Sequence, residues 1–169
     1  MNFLKESLSD SLQQIEIILD IVDDLDPKIR EKFYVKQKIG QHLRHIFDHL
    51  IILYDGMDLN ILDYNKRNRH NIIETDPKLA RKKLNELYNS LKIMPITDRD
   101  INIISEISVD NKINLQIKSN LKREILYIIN HTIHHLAHIK IIAQFMDIKL
   151  PEKIGLAPAT SSYNRLCAH

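Results

Sequence analysis

Between Leu121 and Met146 apolar residues recur at helical spacing, uninterrupted by proline or glycine, which commits the stretch to one long helix. Inside it, Asn130-His131-Thr132-Ile133-His134-His135-Leu136-Ala137-His138 holds four of the nine histidines. Each residue turns a helix by about 100°, so histidines three, four and seven positions apart share a face. An (i, i+4) pair can chelate one metal ion, because the two side chains lie one above the other. Thr132 stands where an H-E-x-x-H protease helix needs Glu, so that chemistry is excluded. The pair needs at least one further ligand from elsewhere in the fold.

The rest of the chain offers partners for this helix. Leu4, Leu8, Leu12, Ile15, Ile18, Leu19, Val22 and Leu25 define a first amphipathic helix, which Asp26-Pro27 stops. A second apolar period starts near Val35 and runs to Tyr54, with Gly56 as its expected end. Gly40 inside it costs about 1 kcal/mol against Ala, which implies that something packs close there. From Met57 to Thr75 there is no period of either kind, and a loop that long is usually functional or disordered. Asp76-Pro77 opens a third helix, capped by Asp76 or Thr75. Residues 101–118 alternate at period two around Asp110-Asn111-Lys112 and read as a β-hairpin inserted between the third and fourth helices. After Asp147, Pro151, Gly155 and Pro158 give an irregular C-terminal tail. Four helices, each with one apolar side, make an all-α antiparallel four-helix bundle the economical fold, as one domain over residues 1–169. Leu150, Ile154 and Leu156 should bury against that bundle, and the tail that carries them can run back beside the histidine end.

The chain contains three glycines and a formal net charge of +2, so it reads as helix-rich and offers no electrostatic case for nucleic acid or a membrane. Cys167 is the single cysteine, which excludes an internal disulfide and a CxxC site. No apolar run spans a bilayer and no signal-peptide pattern opens the chain, so a reducing cytoplasm is the expected compartment.

The second helix carries His42, His45 and His49, so seven of the nine histidines lie on two helices. Facing helices of a bundle are where metal sites are built, and imidazole nitrogen suits Zn, Ni, Fe and Cu. On a helical wheel His135 lies about 80° and His131 about 120° from the apolar centre of the fourth helix. Both border the core, whereas His134 and His138 lean to solvent or to a partner chain. The same test on the second helix is indecisive, with His42 and His49 nearer its apolar centre than His45.

The segment Ile39-Gly40-Gln41-His42-Leu43-Arg44-His45-Ile46-Phe47-Asp48-His49 resembles the second helix of the DinB/YfiT-like family. The segment from His131 to Ile139 resembles that family's fourth helix. A closer subgroup shares Asp63-Tyr64-Asn65-Lys66-Arg67-Asn68-Arg69, Ile73-Glu74-Thr75-Asp76, Arg123-Glu124 and Gly155-Leu156-Ala157-Pro158-Ala159-Thr160. The resemblance implies helices connected up-down-down-up and one divalent ion, Zn, Ni, Fe or Mn, held by three histidines. It assigns His45, from a His-apolar-x-Asp pattern, and His131 and His135, from HxxxH. The wheel selects the same fourth-helix pair independently, while His45 rests on the resemblance.

Three histidines leave open positions on the ion, the layout of a catalytic site. The resemblance implies a metal-dependent enzyme that transfers a low-molecular-weight thiol onto an electrophile, and a homodimer is the expected assembly. Metal-dependent hydrolysis and a non-catalytic dimer with a structural metal or none are the alternatives. Tyr64, Arg67, Arg69 and Glu74 either line the site and hold an anionic substrate through the guanidinium groups, or tie the long loop down. His42, His49 and Asp48 are candidates to support the ligands; Asp48 either orients His49 or the ligand shell, or is a solvated helix acid.

Overall fold

The computed structural model describes residues 3–66 and 72–167. The helices α1 (Phe3–Asp24), α3 (Ile39–Met57), α4 (Pro77–Ile93) and α5 (Leu121–Phe145) are the long ones. Between α1 and α3 lie the single-turn α2 (Pro27–Arg30) and a π-helical stretch Glu31–Lys36. Leu8, Leu12, Ile15 and Leu19 put the apolar period of α1 into the core. α1 packs against α4 and α5, and α3 packs against the same two helices, so one apolar core lies among all four. No helix among the described residues is long and apolar enough to cross a membrane.

Local chemistry explains the boundaries. Asp26 accepts a hydrogen bond from Lys28 N at 2.9 Å and Pro27 occupies the first turn, so the break after α1 is also the start of α2. The chain restarts into α3 through Lys38, at a left-handed φ of 63°. Asp76 caps α4 by accepting from Lys78 N and Leu79 N, as the Asp-Pro pair predicts. Gly40 meets the close neighbour its helix position implies: a Cβ there would lie 2.3 Å from the carbonyl oxygen of Glu74. Any larger side chain would push the Ile72–Glu74 turn away from α3.

The expected all-α bundle with an inserted hairpin is not what forms. The described residues hold six helices and a three-stranded mixed sheet ordered β1-β2-β3. The hairpin is present, with β2 (Asp100–Glu106) antiparallel to β3 (Asn114–Asn120) and Ile103 opposite Ile117. It is joined by β1 (Ile61–Asp63), parallel to β2 with Leu62 opposite Ile103. Three residues are too few to show a period in sequence, which is why the segment reads as loop. A strand parallel to its neighbour needs a long crossover, here supplied by α4 and its approaches.

The tail also differs from expectation. Residues Pro158–Cys167 form the short helix α6, and the segment before it docks on the molecule. Ile154 is buried, Leu150 and Leu156 are half-buried, and Gly155 N donates to Gln14 Oε1 on α1 at 2.9 Å. Gly155 has φ of +66°, and a Cβ on it would sit 2.3 Å from the Ala137 nitrogen of α5. The contact lies on the side of α5 that faces α1. The described residues that line the cavity over the histidines are Gln41, His42, Arg44, His45 and His135, none of them from the tail. Truncation after Asp147 should therefore destabilise the protein without changing what the histidines bind. Loss of Ile154 burial alone removes about 1.5–3 kcal/mol, or roughly 5–10 °C of melting temperature for a chain this size. Thermal unfolding with and without added Zn(II) checks both halves of the expectation.

Candidate metal centre

Helices α3 and α5 lie side by side and each presents histidines at helical spacing to the other. His45 from α3 meets His131 from α5 with their Nε2 atoms 3.0 Å apart. The His45–His135 and His131–His135 ring centroids are 4.8 and 4.6 Å apart. One ligand nitrogen from each of His45, His131 and His135 lies within 4.8 Å of the others. These three residues can hold a metal ion. Metal–imidazole bonds of about 2.0–2.1 Å set nitrogens that share an ion roughly 3–3.5 Å apart. The His45–His131 pair already has that spacing, and a nitrogen of His135 lies within 4.8 Å of both.

The three rings are half-buried and crowded. Burial lowers the His135 pKa to about 3, helped by the neighbouring His131, His45, His42 and His134. His42 is also held below its ordinary value, first by burial and then by His138 and His134. A neutral imidazole is the form that ligates a metal, so crowding prepares His135 as a donor. His49 is buried one turn beyond His45, its ring 4.4 Å from that of His131. His134 and His138 are exposed, as the wheel predicts, although the His138 ring still reaches His42 on α3. His42 borders the site, with Nδ1 2.8 Å from His135 Nδ1.

Two acid clusters flank the histidines. In one, Arg44 is buried and donates through Nη1 to Asp48 Oδ2 at 2.6 Å and through Nε to Glu74 Oε1 at 2.8 Å. Asp48 is thus a buried ion-pair partner and not a solvated helix acid. Glu74 ties the end of the long loop to α3. The Tyr34 hydroxyl adds a 2.7 Å bond to the Ile73 carbonyl in the same turn. In the other cluster the Glu124 carboxylate is 1 % exposed and accepts from Tyr64 Oη at 2.8 Å and Ser119 Oγ at 2.7 Å. Tyr64 lies with its ring 5.2 Å from that of His49, and Tyr127 stacks against His131 at 5.6 Å. Burial raises the Tyr64 pKa first, and the Glu124 charge raises it further, so the hydroxyl keeps its proton and stays a donor. Arg67 and Arg69 lie outside the described residues.

Arg44 and Tyr127 do not stand out in the sequence as site residues. A signal for Arg44 exists: with Asp48 it makes an (i, i+4) pair of opposite charge inside the apolar period of α3. Tyr127 precedes His131 by one helical turn, so the face carrying the histidine pair extends to it.

No family model matches the chain, and no solved structure matches it. Over 104 residues it is 28 % identical to a protein named FK506-binding protein 5 from Rhizopus delemar. The match covers 60 % of this chain and 27 % of that protein, so the chain corresponds to little more than a quarter of its length.

Two outcomes follow from the site. The His135 pKa lies below its unfolded value of about 6.5, so the unfolded chain binds a proton that the fold refuses. Stability of the metal-free protein should be level above that pH and fall as pH drops from about 6.5 toward 3. Urea midpoints at three pH values between neutral and mildly acidic, in the presence of a chelator, test the direction. Arg44→Met should destabilise by about 3–5 kcal/mol, because it leaves the buried Asp48 carboxylate without its cation. Urea unfolding measures that loss, and a cost below about 1 kcal/mol, the range of solvent-exposed pairs, would show that the pair is not desolvated in solution.

Proposed function

We propose that the protein is a divalent-metal-dependent enzyme of the DinB/YfiT-like type that transfers a small thiol to an electrophile. The convergence of His45, His131 and His135 from two facing helices carries the reading. The resemblance of residues 39–49 and 131–139 to that family supports it independently. A bound divalent ion, Zn, Ni, Fe or Mn, supplies Lewis acidity that lowers the pKa of a thiol or water.

The chain's own residues set what can approach. The cavity over the histidines has a volume of about 230 Å³ and is lined by Gln41, His42, Arg44, His45 and His135. That lies below the roughly 300–1,000 Å³ of sites that enclose drug-sized ligands, so a small thiol fits better than a bulky substrate. Arg44 is bound to two carboxylates, which leaves the group with a net negative charge and makes it a poor receptor for an anion. Among the described lining residues, Gln41 and His42 are the groups left to hydrogen-bond a neutral substrate at this mouth. A reducing cytoplasm suits such an enzyme, since low-molecular-weight thiols are kept reduced there.

Protein purified without a histidine tag should contain about one divalent ion per chain by elemental analysis. His131→Ala and His135→Ala should abolish that content, and His134→Ala should retain it. Metal-dependent consumption of glutathione or cysteine by a chloronitrobenzene electrophile is the expected activity. Metal-dependent ester hydrolysis without thiol consumption would favour the hydrolase instead. Full metal occupancy in His135→Ala would overturn the ligand assignment.

A further inference from the structure

His135 has two ring nitrogens, and one of them is already engaged. Its Nδ1 lies 2.8 Å from Nδ1 of His42, within hydrogen-bond range. That leaves Nε2 for the point where His45 and His131 already meet through their own Nε2 atoms. A hydrogen bond between two δ nitrogens needs a proton on one of them and a lone pair on the other. A neutral imidazole that gives its Nε2 lone pair to a metal carries its proton on Nδ1. The His135 Nδ1 must then donate, and the His42 Nδ1 must accept.

We propose that His42 is a positioning residue for the metal centre: it accepts the hydrogen bond from His135 Nδ1 and so fixes the tautomer and ring orientation that present His135 Nε2 to a divalent ion. This role rests on the metal reading above and extends it to a residue outside the three ligands. Ligating histidines usually donate their second nitrogen to a carboxylate or a carbonyl. Here the nearby carboxylates of Asp48 and Glu74 are paired with Arg44, and an imidazole takes that place. His42 is itself held. Its ring stacks on His138 at 6.0 Å and 12°, and His138 is met edge-on by His134 at 4.6 Å. The exposed histidines of α5 thereby buttress His42 without joining the three ligands.

The full chain, stripped of metal, is titrated with Zn(II) against a competing chelator. Removing an outer partner of a ligand typically weakens binding about 10–100-fold, so His42→Phe, which keeps a ring but no acceptor, should show that loss. His42→Asn sets an amide oxygen at the position of Nδ1 and should restore most of the affinity. In the zinc-loaded wild-type protein, long-range ¹⁵N–¹H correlation should show His135 protonated at Nδ1 and His42 protonated at Nε2. Unchanged affinity in His42→Phe, His42→Asn no better than His42→Phe, or the opposite His135 tautomer would each overturn the proposal. Failure of the wild-type chain to bind Zn(II), or full binding by His135→Ala, would remove the metal reading itself and the role of His42 with it.

Discussion

The close approach of α3 to α5 brings His42, His45, His49, His131 and His135 together in one layer, and the site depends on it. Imidazoles this close cannot all carry charge, because burial and mutual repulsion both penalise the protonated form. Burial and neighbouring rings hold His135 and His42 in the neutral form, and neutral imidazoles offer lone pairs. The same constraint that shapes the helix interface makes it a donor set. Desolvation acts first on His135, and its histidine neighbours add to the effect.

Such an interface needs rigid surroundings, and buried charge supplies them. Arg44 links α3 to the turn Ile72–Glu74, and Gly40 lets that turn reach the helix backbone. A buried ion pair adds little net stability over an apolar substitute, since desolvation offsets the attraction. Its value lies in direction: two carboxylates at fixed positions hold the guanidinium in one arrangement. For Glu74 this makes the role of loop tether the better account. Tyr64 belongs elsewhere, with Glu124, in the second acid cluster.

What could be read from sequence follows from how one-sided each element is. α1 and α4 bury one face, so their apolar periods, the Asp26-Pro27 stop of α1 and the Asp76 or Thr75 cap of α4 were legible. The His131 and His135 pair was legible for the same reason, because α5 keeps an exposed side that carries His134 and His138. α3 buries most residues from Leu43 to Leu53, so it has no clear apolar centre and a wheel cannot choose among His42, His45 and His49. There the resemblance named His45, and the geometry brings that residue to the α5 pair. β1 escaped notice for want of length, and α6 because it is short and follows the proline- and glycine-broken segment 151–158. The bonds from Arg44 to Glu74 and from Glu124 to Tyr64 join residues distant in sequence and leave no periodic trace.

The small sheet then has a reason to exist. β1 follows α3 after a short turn, and β3 runs directly into α5, whose cap is Asn120. β2 pairs with both strands and so joins the end of one histidine helix to the start of the other. Tyr64, the first residue past β1, bonds the Glu124 carboxylate in the first turn of α5, and Ser119 of β3 bonds the same carboxylate. Two helices held only by apolar ridges can slide by a fraction of a turn at low cost, because such contacts are not directional. A slide of even one residue, about 1.5 Å, would separate the His45 and His131 nitrogens. Backbone pairing in the sheet and the directional bonds at Glu124 forbid that slide. Residues far from the imidazoles thus set the register on which their convergence depends.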